Sequence, residues 1–162
     1  MGLYPDYDGR FPRNLLCQNS SQAAMLTWVF MIPPFDDSGF LPTGVHPATL
    51  AEIEHRFGRE SELRRVQMES VRWMVDLAIR AGAERIVLNG SFVTDIMEPN
   101  DVDCVLLTGR GFPKDRVAEA ELRAGLPFLE IALVRRRQFD RLVSFFATDR
   151  LEAPKGMVEV IR

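Results

Sequence analysis

Cysteine is scarce in this sequence. Cys17 and Cys104 are the 2 cysteines among 162 residues, which is too few for a disulfide framework. Cys104 falls on the inner face of a predicted strand, where a reduced and buried thiol is the usual state. The sequence therefore predicts a protein of the reducing cytoplasm.

An excess of basic charge and a long hydrophobic run are also missing. With 20 Lys and Arg against 23 Asp and Glu, the formal net charge is -3, so nothing favours a nucleic-acid partner held by a broad basic surface. The apolar stretch from Ala23 to Phe30 has about half the length that a membrane span requires. We therefore expect no membrane partner.

Histidine is equally sparse, and this limits the chemistry of the chain. His46 and His55 have no cysteine or histidine partner at metal-ligand spacing. No Ser-His-Asp or Cys-His arrangement suggests itself either. Both histidines are expected to be structural or exposed.

The composition that remains is that of an ordinary globular domain, with 46% hydrophobic and 27% charged residues. The segment from Met1 to Ser21 mixes turn-forming and polar residues without a period, so residues 1–30 are expected to be an irregular extension. Residues 31–162 are expected to form a single domain. Met31 is expected to be the natural start, or the residues before it to be dispensable.

Hydrophobic periodicity predicts the elements of this domain. Helices are expected from Ala48 to Phe57, opened by Pro47, and over Ser61 to Ala81, Asp115 to Arg123 and Gln138 to Ala147. Ser61 is expected to cap the second helix and Gly82 to end it. The residues expected to face inward or to pack include Leu63, Val66, Met68 and Trp73 in the second helix and Phe139, Leu142, Val143 and Phe146 in the last. Strands are expected over Arg85 to Leu88, Asp101 to Thr108, Leu126 to Val134 and Gly156 to Ile161, while Phe40 to Pro47 is expected to be turn-rich. This order predicts an α/β or α+β fold, in which a small mixed β-sheet carries its helices mainly on one face.

Two acidic residues open the second of these strands. Side chains alternate along a strand, so Asp101 and Asp103 are expected on one face while Val102 and Cys104 point into the core. Two carboxylates this close together favour a neighbouring positive charge. Because oxygen ligands of this kind suit Mg²⁺ or Mn²⁺, the pair predicts a metal site.

A glycine and a serine follow the preceding strand. Gly90 permits a sharp turn and the close approach of a ligand, and Ser91 offers a hydroxyl and an N–H group. A helix starting there would point further N–H groups at an anion. Gly90-Ser91 and Asp101-Val102-Asp103 together predict a site for a nucleoside triphosphate with its magnesium.

The run Leu88-Asn89-Gly90-Ser91, followed after nine residues by Asp101-Val102-Asp103, resembles the signature of the polymerase-β-like nucleotidyltransferase superfamily, in particular its minimal members. The longer run Asn89-Gly90-Ser91-Phe92-Val93-Thr94, with Pro99-Asn100-Asp101-Val102-Asp103-Cys104, is similar to a family of small bacterial proteins of that superfamily. This similarity extends from about Met31 to the C-terminus and includes Leu41-Pro42-Thr43-Gly44-Val45-His46 and Pro154-Lys155-Gly156-Met157-Val158. The resemblance implies the nucleotidyltransferase core. It also implies transfer of a nucleoside monophosphate from a nucleoside triphosphate to a hydroxyl acceptor.

The resemblance also assigns further residues. A third carboxylate on the next strand helps to deprotonate the attacking hydroxyl in the superfamily, and Glu130 takes that position here, with Glu in place of the usual Asp. Lone carboxylates in core strands are costly unless paired or metal-bound, which also favours a role for Glu130. The alternative is that Glu130 simply faces solvent at an edge of the sheet. Asp101, Asp103 and Glu130 are thus the expected catalytic and metal-binding residues.

The expected triphosphate contacts are Gly90, Ser91 and, from its matched position, Lys155. Thr94 stands where many relatives carry a basic residue, and Asp95 and Glu98 add negative charge to the same loop. The run Arg135-Arg136-Arg137 could contact phosphate, although such runs more often form a solvated face.

Several alternatives remain open from the sequence. The acceptor could be a small molecule, a protein or a tRNA, and a partner protein or a second copy of the chain could complete the site. A catalytically weak or inactive module of the same fold, acting as a nucleotide- or protein-binding, antitoxin-like partner, is the second hypothesis. A plain structural domain with solvated acids is the third.

Overall fold

Residues 32–149 and 151–161 are described by a computed structural model of the chain. The expected irregular extension over residues 1–30 lies outside these residues. The described strands are β1 (Gly44–Thr49), β2 (Ala83–Asn89), β3 (Val102–Thr108), β4 (Leu129–Val134) and β5 (Gly156–Ile161). The described helices are α1 (Leu50–Phe57), α2 (Glu62–Ala81), α3 (Arg116–Ala124) and α4 (Arg136–Phe146).

The five strands form one mixed sheet in the order β1-β5-β2-β3-β4 within the described part of the chain. β5 is parallel to β1 and antiparallel to β2, and β3 is antiparallel to β2 and parallel to β4. The ends of β2 and the starts of β3 and β4 therefore lie at the same end of the sheet. The predicted α/β architecture with a small mixed sheet is confirmed.

Both faces of the sheet are covered. One face carries most of the core, with apolar residues of α1, α2 and α3 packed on Leu88, Cys104, Leu106 and Val158. The other face carries α4, whose Phe139 packs with a second apolar cluster formed by Val87, Val105, Leu107 and Met157. The expected inward residues of α4, Phe139, Leu142, Val143 and Phe146, all contact this cluster.

Local capping chemistry fixes the helices of the main face. Ser61 caps α2 by accepting a hydrogen bond from the Arg64 N–H, and Gly82 ends that helix in the left-handed conformation (φ 87°). Both residues were expected at these ends. α1 begins after Thr49, which forms a capping box with Glu52, and not at Pro47 as expected.

The largest departure from the expected elements is β1. The segment up to Pro47 was expected to be turn-rich, yet Gly44–Thr49 pairs along its whole length with β5. Proline lacks an N–H donor and is tolerated in a strand at a sheet edge, which is where β1 lies. Because glycine and proline favour turns, the sequence of this segment predicted a loop where the structure has an edge strand.

Two smaller expectations also fail. β4 starts at Leu129 and not at Leu126, because Phe128 adopts a positive φ of 65° and the Leu129 N–H closes a turn onto the Leu126 carbonyl. Trp73 was expected to pack like Met68, but it is 50% exposed whereas Met68 is 2% exposed. Among the residues with described positions, no helix is both long and apolar enough to cross a membrane.

Candidate metal centre

Three carboxylates meet where β3 and β4 begin. Asp101, Asp103 and Glu130 each offer one oxygen atom, and these atoms lie within 4.8 Å of one another. Asp103 and Glu130 are directly opposite one another in the parallel pair of β3 and β4. The structure thus brings together the three acidic residues that the sequence singled out.

The alternation of β3 turns the two aspartates to one face. Val102 and Cys104 are buried in the main core, whereas Asp101 and Asp103 are half-buried. Burial, together with the nearby charge of Asp103, raises the pKa of the Cys104 thiol. Because a raised pKa keeps the thiol protonated, Cys104 is a packing residue and not a nucleophile.

Gly90 lies directly against the acidic cluster. A Cβ atom at this position would stand 3.1 Å from both the backbone nitrogen and the Oδ2 atom of Asp103, and 3.2 Å from the Asp101 carbonyl oxygen. Gly90 also has φ 84° and ψ -172°, a conformation that is essentially restricted to glycine. The glycine is therefore required both by the turn and by the approach of β3.

The Ser91 hydroxyl holds the loop in place. Its Oγ accepts a hydrogen bond from the Asn100 N–H at 3.0 Å and donates to Asp101 Oδ1 at 3.4 Å. Ser91 thus orients one of the three carboxylates. The helix considered at Ser91 is a single 3₁₀ turn, Ser91–Val93.

Thr94 closes this turn. Its Oγ1 donates to the Ser91 carbonyl at 2.6 Å and its side chain is buried, so it belongs to the loop structure and not to a ligand contact. Asp95 lies beside Gly39, and its N–H donates to the Gly39 carbonyl. Its carboxylate packs against the segment before β1.

The loop between Ser91 and Asp101 is fastened to α2 by polar side chains. The fully buried Arg64 donates to the carbonyl oxygens of Phe92 (2.9 Å) and Thr94 (2.8 Å), and also to those of Ile96 and Phe57. Gln67 donates to the Pro99 carbonyl at 2.7 Å.

The sequence did not single out Arg64 and Gln67. Polar residues at these spacings are typical of a solvated helix face, so only the tertiary contacts mark them. The inward face of α2 was expected to include Leu63 and Val66, which are in fact only half-buried. Desolvation lowers the pKa of Arg64, yet four carbonyl oxygens take the place of water around its guanidinium.

Glu130 stands on an edge strand and its side chain is exposed. The expectation that it is a costly carboxylate within the core is therefore wrong, because water can solvate it. What distinguishes Glu130 is its position across from Asp103 and not its burial.

The expected cationic residues do not join the cluster. Lys155 precedes β5, where Val158 pairs with Leu88, so Lys155 lies at the same end of the sheet as Gly90 but on the other side of β2 from Asp103. Arg135 follows Val134 at the opposite end of β4, and Val134 is itself about 13 Å of strand away from Glu130.

Arg136 approaches Glu84 at 3.8 Å, which is at the far end of the sheet as well. The arginine run therefore forms a solvated face, as interpreted from the sequence. The other expectation, that this run contacts phosphate at the acidic cluster, is wrong. His46 is structural: its Nε2 lies 2.7 Å from the Pro42 carbonyl oxygen.

The donor set fits a hard divalent cation. Oxygen atoms that share one Mg²⁺ ion lie up to about 4.2 Å apart, since each bond is about 2.1 Å long, and the three carboxylates need to close by less than about an ångström to reach that spread. Two unit charges at this separation repel by about 1 kcal/mol in water and by several times more in a partly buried site. A cation would relieve that repulsion.

The described residues thus form a mixed α/β domain with an acidic cluster beside a glycine–serine turn. The chain belongs to a family of unknown function, DUF6932, whose model matches residues 33–161. No curated protein and no solved structure matches the chain.

Proposed function

We propose that this protein is a metal-dependent nucleotidyltransferase, which moves a nucleoside monophosphate from a nucleoside triphosphate to a hydroxyl acceptor. The convergence of Asp101, Asp103 and Glu130 beside Gly90 is the observation that carries the proposal. The resemblance of the Gly-Ser and Asp-x-Asp spacing to polymerase-β-like nucleotidyltransferases supports the same reaction. A reducing cytoplasm suits the buried thiol of Cys104.

Asp101, Asp103 and Glu130 would hold one or two Mg²⁺ or Mn²⁺ ions, which supply charge neutralisation for a polyphosphate and polarise the phosphoryl group under attack. The three carboxylates determine where the positive charge of these ions would lie. Ser91 orients Asp101 through its hydroxyl, and Arg64 keeps the intervening loop in place through its carbonyl contacts.

Gly90 and Ser91 would seat the triphosphate. Gly90 lets the turn lie directly against Asp103, which keeps the backbone of Gly90 and Ser91 beside the carboxylates. Backbone N–H groups of this turn would be the donors to phosphate oxygens. Lys155, at the same end of the sheet, is the cation that could reach the distal phosphates. These groups bind and orient the phosphate chain.

Glu130 would act as the general base. Its exposed carboxylate can accept the proton of an incoming hydroxyl, while its place across from Asp103 keeps it close to the phosphorus under attack. The hydroxyl oxygen forms a bond to the α-phosphorus, the bond to the β-phosphate oxygen breaks, and pyrophosphate leaves. Because Glu130 is open to solvent, the acceptor can be a small molecule, a protein or a tRNA, and a partner protein or a second copy can complete the site.

A non-catalytic, antitoxin-like module is the second candidate. The arginine run lies at the opposite end of the sheet from the acidic cluster and so does not balance a triphosphate's charge there, which favours weak or absent turnover. The two candidates share the nucleotide and metal site and differ in whether pyrophosphate is released.

Calorimetric titration with non-hydrolysable analogues of the four ribonucleoside triphosphates tests the proposal. We expect Mg²⁺-dependent binding of at least one analogue to the wild type and none to the double variant Asp101→Ala, Asp103→Ala, which removes both oxygen ligands. The double variant Asp76→Asn, Glu84→Gln changes the charge equally at exposed positions and should bind like the wild type. Absence of heat with all four analogues, or equal heat with the carboxylate variant, would refute the proposal.

A further inference from the structure

Asn89 is a buried polar residue at the end of β2, immediately before Gly90. Its side chain is 0% exposed. Neither its Oδ1 nor its Nδ2 atom has a hydrogen-bond partner among the described residues. Asn89 has no role in the reaction proposed above.

Strand register places Asn89 in the same row as the acidic cluster. Asn89 is directly opposite Asp103 in the antiparallel pair of β2 and β3, and Asp103 is directly opposite Glu130 in the parallel pair of β3 and β4. Directly opposite residues share a face of the sheet, with Cβ atoms about 5 Å apart. Asn89, Asp103 and Glu130 thus form one cross-strand row on one face.

The alternation of side chains along β2 and β3 independently places Asn89 and Asp103 on one face of the sheet. Val87 and Val105 both belong to the cluster on the α4 face. Asn89 is two residues after Val87 and Asp103 is two residues before Val105, so both point to that face as well. The Asn89 amide therefore faces the carboxylates and not the main core.

An amide buried in this way is costly unless a ligand satisfies it. A buried donor or acceptor without a partner costs about 1–3 kcal/mol, so an apolar residue of similar volume would make the metal-free protein more stable. Asparagine oxygen is also one of the hard donors that Mg²⁺, Mn²⁺ and Ca²⁺ accept. Asn89 therefore offers an oxygen that suits a metal ion, whereas its unpartnered burial costs free energy that a packing residue would not cost.

We infer that Asn89 is a fourth oxygen donor of the metal centre, with Oδ1 directed at the cation that the three carboxylates hold and Nδ2 donating to an anionic oxygen of the bound substrate. This inference rests on the metal site proposed above. With Asn89 included, the donors are one row across three strands together with Asp101. Because Asn89 is neutral, it adds a ligand without adding charge repulsion.

Titration with Mn²⁺ alone, followed by the electron paramagnetic resonance signal of the free ion, tests this assignment. Asn89→Leu keeps the volume and removes the oxygen, and should weaken Mn²⁺ binding about tenfold or more, judged by the losses that even indirect ligand partners cause. The midpoint of its metal-free thermal unfolding should equal or exceed that of the wild type. Asn89→Asp retains an oxygen donor and should bind Mn²⁺ at least as tightly as the wild type.

Two controls separate the possible outcomes. Leu88→Val changes packing on the other face of the same strand and should bind Mn²⁺ like the wild type. Asn89→Ser, whose hydroxyl is too short to reach the cation, should weaken binding as Asn89→Leu does, and replaces that variant should it fail to fold. Wild-type affinity in both Asn89→Leu and Asn89→Ser, with loss in Asp103→Asn, would overturn the role of Asn89 alone. No Mn²⁺ binding by the wild type would overturn the metal site as well.

Discussion

Asp103 and Glu130 face one another across the parallel strands β3 and β4, at the end of the sheet where β2 reaches Gly90. Like charges directly opposite in a strand pair are destabilising, so this arrangement opposes the stability of the metal-free fold. A cation between the two carboxylates would offset this repulsion.

Gly90→Ala should disturb both the fold and the site. The conformation of Gly90 costs a residue with a side chain about 1–3 kcal/mol, and the new Cβ would also press on Asp103. Gly125 is a matched control, because its φ of 88° and ψ of 154° are similar but a Cβ there would meet nothing within 4 Å among the described residues.

We expect urea unfolding to show a loss of stability for both glycine variants, and Mn²⁺ titration to show weaker binding for Gly90→Ala alone. Equal Mn²⁺ affinity in the two variants would mean that the contact with Asp103 has no part in the metal site.

Arg64→Met should destabilise the protein by at least about 3 kcal/mol, because four backbone carbonyl oxygens lose a charged donor inside the protein. Arg65→Met on the same helix is the control: its ion pair with Glu62 is exposed, so the change should be within about 0.5 kcal/mol. Chemical denaturation measures both. A loss for Arg64→Met no larger than that for Arg65→Met would contradict the role of Arg64 in holding the loop.

Glu130→Gln should separate binding from turnover. Glutamine retains an oxygen ligand but is a poor proton acceptor, so triphosphate binding should change by only a few-fold while transfer falls by about 10²–10⁴-fold. Pyrophosphate release against a panel of acceptors measures transfer, and Glu84→Gln at the far end of the sheet is the control. Unchanged pyrophosphate release in Glu130→Gln would exclude Glu130 as the general base.

Cys104 should resist thiol reagents in the folded protein. Burial raises the pKa of its thiol, so the reactive thiolate is suppressed at neutral pH and becomes available only as the pH rises or the chain unfolds. In a Cys17→Ser variant, modification should be slow in buffer and complete in concentrated urea. Rapid modification in buffer would show that the β3 core face is open.

Much of the fold could be predicted because local signals and packing agree. The cap Ser61, the terminator Gly82 and the alternation around Cys104 each specify their element without distant contacts. β1 could not be predicted, because Gly44 and Pro47 are turn residues by local preference and form a strand only because β5 offers a parallel partner. The start of β4 depended likewise on the positive φ of Phe128.

The residues of the candidate site also fall into those that local spacing predicts and those that depend on distant contacts. Asp101 and Asp103 follow from spacing, since two residues apart on a strand means one face. The burial of Asn89 and Arg64 depends on which strand and which loop come to lie beside them, and that information is absent from any short stretch of sequence. Glu130 was singled out by position, but the physical reason offered, burial in a core strand, does not apply to an exposed edge residue.

The most direct test is the position of Mn²⁺ in crystals of the protein soaked with MnCl₂ and a non-hydrolysable nucleoside triphosphate. Anomalous scattering locates the ion without assumptions about the ligands. We predict a peak bonded to oxygen atoms of Asp101, Asp103 and Glu130, with the phosphates against Gly90 and Ser91. A bound triphosphate with its Mn²⁺ elsewhere on the domain, or no peak between these carboxylates, would contradict this prediction.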